Sequence, residues 1–123
     1  METNKPIYKI LVVEDMAPIR EAISDGLESR GYRVWVESSG YEALDDLQNR
    51  IPDRPDLIIT DCKMAPINGL ELVDRLRADP KTRDVKIIGY GDFPHDAEGF
   101  DFILQKRLNL DELYAKVQKI LGG

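Results

Sequence analysis

The chain has 123 residues, a formal net charge of −6, 42% hydrophobic and 33% charged positions. That length suits one domain with a real core, and the apolar fraction excludes a disordered chain. The longest apolar runs, 10–13 and 57–59, are too short to cross a bilayer, and the single cysteine, Cys62, excludes an internal disulfide framework.

Short β-rich apolar runs alternate with amphipathic segments, the pattern of an α/β protein with a parallel sheet. The first predicted strand is 8–13. A helix follows from about 17 to 30: Pro18 suits its first turn, Ile19, Ile23 and Leu27 recur on one face, and Gly31 stops it. A second strand spans 33–36 and includes Trp35, read as core. Residues 38–40 cap a helix whose apolar stripe is Ala43, Leu44 and Leu47. Pro52 and Pro55 break that pattern, and the third strand, 57–60, is apolar throughout and therefore central. A helix over 69–78 carries Leu72, Val73 and Leu76, and strands follow at 85–90 and 101–104. Asn109 with Glu112 resembles a capping box for a last helix, with Leu110, Leu113, Val117 and Ile120 toward the sheet. No repeat, low-complexity tract or linker interrupts the chain, so 1–123 is expected to form one unit.

One step breaks the alternation. Only residues 91–100, with two glycines and a proline, separate the fourth and fifth strands, whereas a parallel crossover normally uses a dozen or more residues with a helix. The helix expected there is missing or vestigial.

Ligands of an open parallel sheet gather at the carboxyl ends of its strands, near the switch in strand order. Glu14 and Asp15 follow the first strand, Asp61 follows the third, and Lys106 follows the fifth. Three carboxylates in one pocket repel one another unless a cation offsets them, and hard oxygen ligands with few protein contacts suit Mg²⁺. An aspartate beside that ion can act as a nucleophile on phosphorus, with a lysine to neutralise phosphoryl oxygens. Cys62 reads as a small buried strand residue, and a lone histidine, His95, excludes a multi-histidine metal site.

The order Glu14-Asp15, Asp61, Lys106, with Asp61-Cys62-Lys63-Met64 and Gly69 eight positions after the aspartate, resembles the response-regulator receiver domain of two-component signalling. The match covers about 8–121. The resemblance implies a flavodoxin-like receiver fold: a doubly wound, five-stranded parallel sheet, here with helix 4 missing or vestigial. It implies that Asp61 accepts a phosphoryl group from the phosphohistidine of a sensor histidine kinase or phosphotransfer protein. Mg²⁺ would be held by Glu14 (through water), Asp15, Asp61 and the backbone carbonyl of Lys63, and Lys106 would pair with a phosphoryl oxygen. Such a domain catalyses its own phosphorylation and dephosphorylation at most and is not a turnover enzyme. The expectation is a cytoplasmic single-domain regulator that signals by docking to another protein. It would bind neither nucleic acid nor membrane directly, and the match leaves no room in this chain for an output region.

The sequence departs from that family at several points. Gly91 stands where a Ser or Thr normally bonds the phosphoryl group, and Ile103 where a Tyr or Phe moves with that hydroxyl. Arg107 replaces a proline after the lysine, and Pro66 lies one place late, after Ala65. A lost hydroxyl bond is worth about 0.5–1.5 kcal/mol, which weakens coupling without blocking phosphorylation. Phe93, Phe100 and Phe102 all fall in or beside the short crossover and are expected to cover the bare sheet, within the monomer or across a homodimer through 91–104. The alternative reading is a pseudo-receiver, a binding module that keeps the pocket but does not switch on phosphate. A phosphatase-type hydrolase ranks last, because Lys63 occupies the place of its second aspartate.

Overall fold

The computed structural model describes residues 7–49, 54–105 and 107–122. In chain order the elements are β1 (Lys9–Val13), α1 (Ala17–Glu28), β2 (Arg33–Glu37), α2 (Gly40–Asn49), β3 (Leu57–Asp61), α3 (Gly69–Ala78), β4 (Lys86–Gly91), β5 (Phe102–Gln105) and α4 (Leu110–Leu121). The five strands form one parallel sheet in the order β2-β1-β3-β4-β5. Strand order therefore reverses at β1, which pairs with both β2 and β3. Each strand lies within a residue or two of its sequence expectation. Pro52 and Lys106 lie outside the described residues.

Alternation along each strand sorts the core into two layers. Ile10 and Val12, Leu57 and Ile59, and Ile88 and Leu104 pack with Ile23 and Leu27 of α1 and Leu113 and Val117 of α4. Leu11, Val13, Ile58 and Ile87 face the other way, onto Ala43 and Leu47 of α2 and Leu72, Val73 and Leu76 of α3. The central strands are apolar on both faces because helices cover both. Burying each such Leu, Ile or Val side chain contributes about 1.5–3 kcal/mol before entropy is counted. Trp35, expected in the core, is only half-buried, because its strand is at the sheet edge; the Arg33 guanidinium lies 5.7 Å from its ring centre.

Helix termini follow local chemistry. Asn109 caps α4 by accepting a hydrogen bond from the Glu112 N–H at 3.0 Å, as the capping pattern predicts, and Asn68 does the same for α3 with Glu71 at 2.9 Å. Ser39 Oγ accepts from the Glu42 N–H at the start of α2.

The expectation of a missing helix 4 needs correction in that form, since a fourth helix is present: α4, the C-terminal one. The segment between β4 and β5 consists of turns and bends. Phe93, 4% exposed, and the half-buried Phe100 meet edge to face with ring centres 4.6 Å apart. Both rings lie against Gly89, where a Cβ would come within 2.9 Å of each. They thus cover the sheet on the α2/α3 face within a single chain. Phe102 does not join them: strand alternation puts it on the α1/α4 side, with the Lys116 ammonium 4.3 Å from its ring centre.

Arg77 of α3 fastens the crossover. Its guanidinium donates to the carbonyls of Gly99 (2.9 and 2.6 Å), Arg83 (2.7 Å) and Val85 (2.6 Å), and lies 3.4 Å from Asp101 Oδ2. The same Asp101 carboxylate accepts from the Ile87 N–H at 2.8 Å, tying the start of β5 to β4. One rigid fork of donors thereby ties a crossover carbonyl, Gly99, to two carbonyls of the segment that leads into β4, Arg83 and Val85.

Candidate functional site

Glu14 leaves β1 at the point where strand order reverses. Its N–H donates to the Glu37 carbonyl at 3.0 Å, extending the β1–β2 pairing, and its carbonyl accepts from Arg20 Nη1 at 2.8 Å. Asp61 is the last residue of β3, the neighbouring strand, so both side chains reach the same crevice. Asp15, exposed, completes a cluster in which one carboxylate oxygen from each of Glu14, Asp15 and Asp61 lies within 4.8 Å of the others. These are the three carboxylates that strand-end reasoning singles out. Lys63 is exposed in the following loop, and its N–H lies 3.4 Å from Asp61 Oδ1.

The Glu14 side chain is fully buried, yet both its oxygens have donors. Tyr90 Oη donates to Oε1, and the Met16 N–H donates to Oε2 at 3.0 Å. Burial pushes the Glu14 pKa up to about 6. The bonds from Tyr90 and Met16 hold it down against that effect, and the Asp61 charge adds to the rise. The Asp61 pKa is also raised, first by burial and then by the charge of Asp15, against the backbone N–H groups of Lys63 and Cys62. A pocket of desolvated carboxylates with raised proton affinity is one that a cation stabilises. The hard-oxygen donor set fits a divalent ion such as Mg²⁺.

A linkage prediction follows for the cation-free protein. Glu14 binds its proton more tightly when folded than when unfolded, so its contribution is fully present below about pH 4.5 and is lost as pH rises through about 6. With chelator present, wild-type stability relative to Glu14→Gln should fall by about 2 kcal/mol between pH 4.5 and 7. Urea titrations at both pH values measure it, and a constant difference would refute the argument.

Two residues near Asp61 are set by backbone. Gly69, at the start of α3, donates its N–H to the Cys62 carbonyl at 2.8 Å; a Cβ there would come 2.4 Å from the Asp61 carbonyl oxygen. Gly91 has φ +114, and a Cβ would come 3.2 Å from Asp61 Oδ1. Position 91 does adjoin Asp61, but in a conformation that β-branched side chains avoid. The departure there therefore involves the chain path as well as a missing hydroxyl. Cys62 is buried as expected, with its Sγ 3.5 Å from the Asp92 carbonyl and its thiol pKa raised by burial. The peptide bond between Ala65 and Pro66 is cis.

Sequence reasoning missed Tyr90. It reads as one more apolar strand residue, yet it is the register partner of Asp61 on β4 and the donor to Glu14. A lone hydroxyl in an otherwise aliphatic strand beside a candidate site was the available signal.

Residues 10–118 match the response regulator receiver domain family. The chain belongs to that family. The receiver domain is 37% identical over 122 residues to a probable transcriptional regulatory protein of Picosynechococcus sp., covering 92% of this chain and 49% of that protein. It thus spans about half the length of the curated relatives it matches. The chemotaxis response regulator CheY4 of Vibrio cholerae superposes with a TM-score of 0.82 at 27% identity, covering 94% of this chain and 99% of that one. The response regulator TrrA of Thermotoga maritima, in a complex with Mg²⁺–BeF, gives a TM-score of 0.78 at 34% identity over 93% of this chain and 99% of that one. The receiver domain is therefore a signalling unit of two-component systems and not a classical enzyme. Among the described residues, no helix is long and apolar enough to cross a membrane.

Proposed function

We propose that this receiver domain accepts a phosphoryl group on Asp61 from the phosphohistidine of a sensor histidine kinase or phosphotransfer protein. The observation that carries the reading is the convergence of Glu14, Asp15 and Asp61 at the reversal in strand order, their oxygens within 4.8 Å of one another. Glu14, Asp15, Asp61 and the Lys63 backbone carbonyl would hold Mg²⁺. When bound, that ion supplies positive charge against both the carboxylates and the phosphoryl oxygens. The Mg²⁺–BeF complex of TrrA supports carrying this over.

In the transfer, an Asp61 carboxylate oxygen forms a bond to phosphorus as the phosphorus–nitrogen bond of the donor breaks, and the departing imidazole keeps the electron pair. The backbone N–H of Lys63, 3.4 Å from Asp61 Oδ1, orients the attacking carboxylate. Lys106, by its place in the family pattern, would pair with a phosphoryl oxygen. Signal output would be docking to another protein in the cytoplasm, without direct contact with nucleic acid or membrane. One relative of about twice the length is named a probable transcriptional regulatory protein.

Gly91 favours a second reading, a pseudo-receiver that keeps the pocket and does not switch, because glycine offers no hydroxyl beside Asp61. Incubation with Mg²⁺ and acetyl phosphate, read by intact mass, separates the possibilities. A gain of one phosphate that is lost in Asp61→Asn is the expected result. No adduct under any condition would support the pseudo-receiver, and steady release of phosphate would point to a hydrolase.

A further inference from the structure

We propose that Tyr90 is a positioning residue for the divalent-cation site and acts through Glu14; this rests on the reading of the acidic cluster given above. The Glu14 main chain is held on both sides, by Glu37 through its N–H and by Arg20 through its carbonyl. The direction of its carboxylate is therefore left to two donors, the Met16 N–H on Oε2 and Tyr90 Oη on Oε1. Both partners are removed from solvent, Glu14 at 0% and Tyr90 at 4% exposure, so water cannot replace either bond readily.

Geometry explains why a tyrosine is needed. Glu14 follows β1 and Tyr90 lies on β4, with β3 between them. Neighbouring strands are about 4.8 Å apart, so the two backbones are separated by roughly 10 Å. A glutamate and a tyrosine reaching toward each other close that gap, with the ring packed on the α1/α4 face among Ile88, Leu104 and Leu113. An aliphatic residue at position 90 would fill the same core without touching Glu14. Tyr90 is also the register partner of Asp61, so one strand position is tied to two of the three carboxylates. Partners that orient a metal's ligands typically govern affinity by 10–100-fold when removed.

The competing explanation is that Glu14 merely satisfies a buried phenol, which always seeks an acceptor. A double-mutant cycle on the full chain separates the two, with Mn²⁺ as the probe and the free ion quantified by electron paramagnetic resonance. Tyr90→Phe keeps the ring and removes only the donor. It should weaken Mn²⁺ binding at least tenfold with the far-UV circular dichroism unchanged. In a Glu14→Gln background, the same change should alter the dissociation constant less than twofold. Unchanged affinity in Tyr90→Phe overturns the proposal, as does an equal loss in both backgrounds, which would mean an effect through packing. In wild type, the titration should also perturb tyrosine absorption in a way that Glu14→Gln abolishes; a silent spectrum counts against Tyr90 without requiring a variant at that position. Failure of wild type to bind Mn²⁺ at all would instead remove the cation site itself, and the proposal with it.

Discussion

Phe93→Ala should lower the unfolding free energy by about 3–5 kcal/mol, a large share of the 5–15 kcal/mol expected for a domain of this size. Phe93 is 4% exposed and rests on Gly89, which has no side chain to close the gap if the ring is removed. Phe100 would lose its edge-to-face partner at the same time. Because these contacts lie within one chain, the loss should not depend on protein concentration. A ring that sealed a dimer would instead give a concentration-dependent midpoint. Urea denaturation at two concentrations tenfold apart measures both properties. A change below about 1 kcal/mol would show that the crossover relaxes over the sheet without Phe93.

Gly69→Ala should cost about 1–3 kcal/mol and also disturb Asp61. The added methyl would sit 2.4 Å from the Asp61 carbonyl oxygen and 3.1 Å from the Cys62 Cα, both parts of the backbone. Neither can rotate aside, so α3 has to move away from the end of β3. The Gly69 N–H bond to the Cys62 carbonyl, 2.8 Å long, would lengthen or break. The requirement is for close approach of two chain segments, which explains a glycine at this spacing after the aspartate. Phosphate incorporation, read by intact mass, should fall together with the urea midpoint. A variant with wild-type stability and wild-type incorporation would contradict the close packing described.

Most of the architecture was legible because it rests on local periodicity. Ile19, Ile23 and Leu27 mark the inner face of α1, and the unbroken apolar run of β3 marks a central strand covered on both sides. Asn109 and Glu112 marked the start of α4 for the same reason: a cap is a contact over three residues. The three carboxylates could be named because the carboxyl end of a strand is readable from the strand. Contacts between distant segments were not readable. Arg77 looks like one more charged residue of an amphipathic helix, yet it binds carbonyls up to 22 positions away. The three phenylalanines looked like one patch in sequence, and strand alternation divided them between opposite faces.

Length and charge alone indicated one acidic domain, and the order and spacing of Glu14, Asp15, Asp61, Gly69 and Lys106 indicated its family. These properties depend on residue identity and short-range pattern, which a linear sequence contains. Only the tertiary structure decided that Tyr90 reaches Glu14 across an intervening strand, that Gly91 has a left-handed path beside Asp61, and that the short crossover is sealed by Phe93, Phe100 and Arg77. Each depends on which strands lie side by side and which way a side chain points from them, and neither is determined until the sheet is assembled.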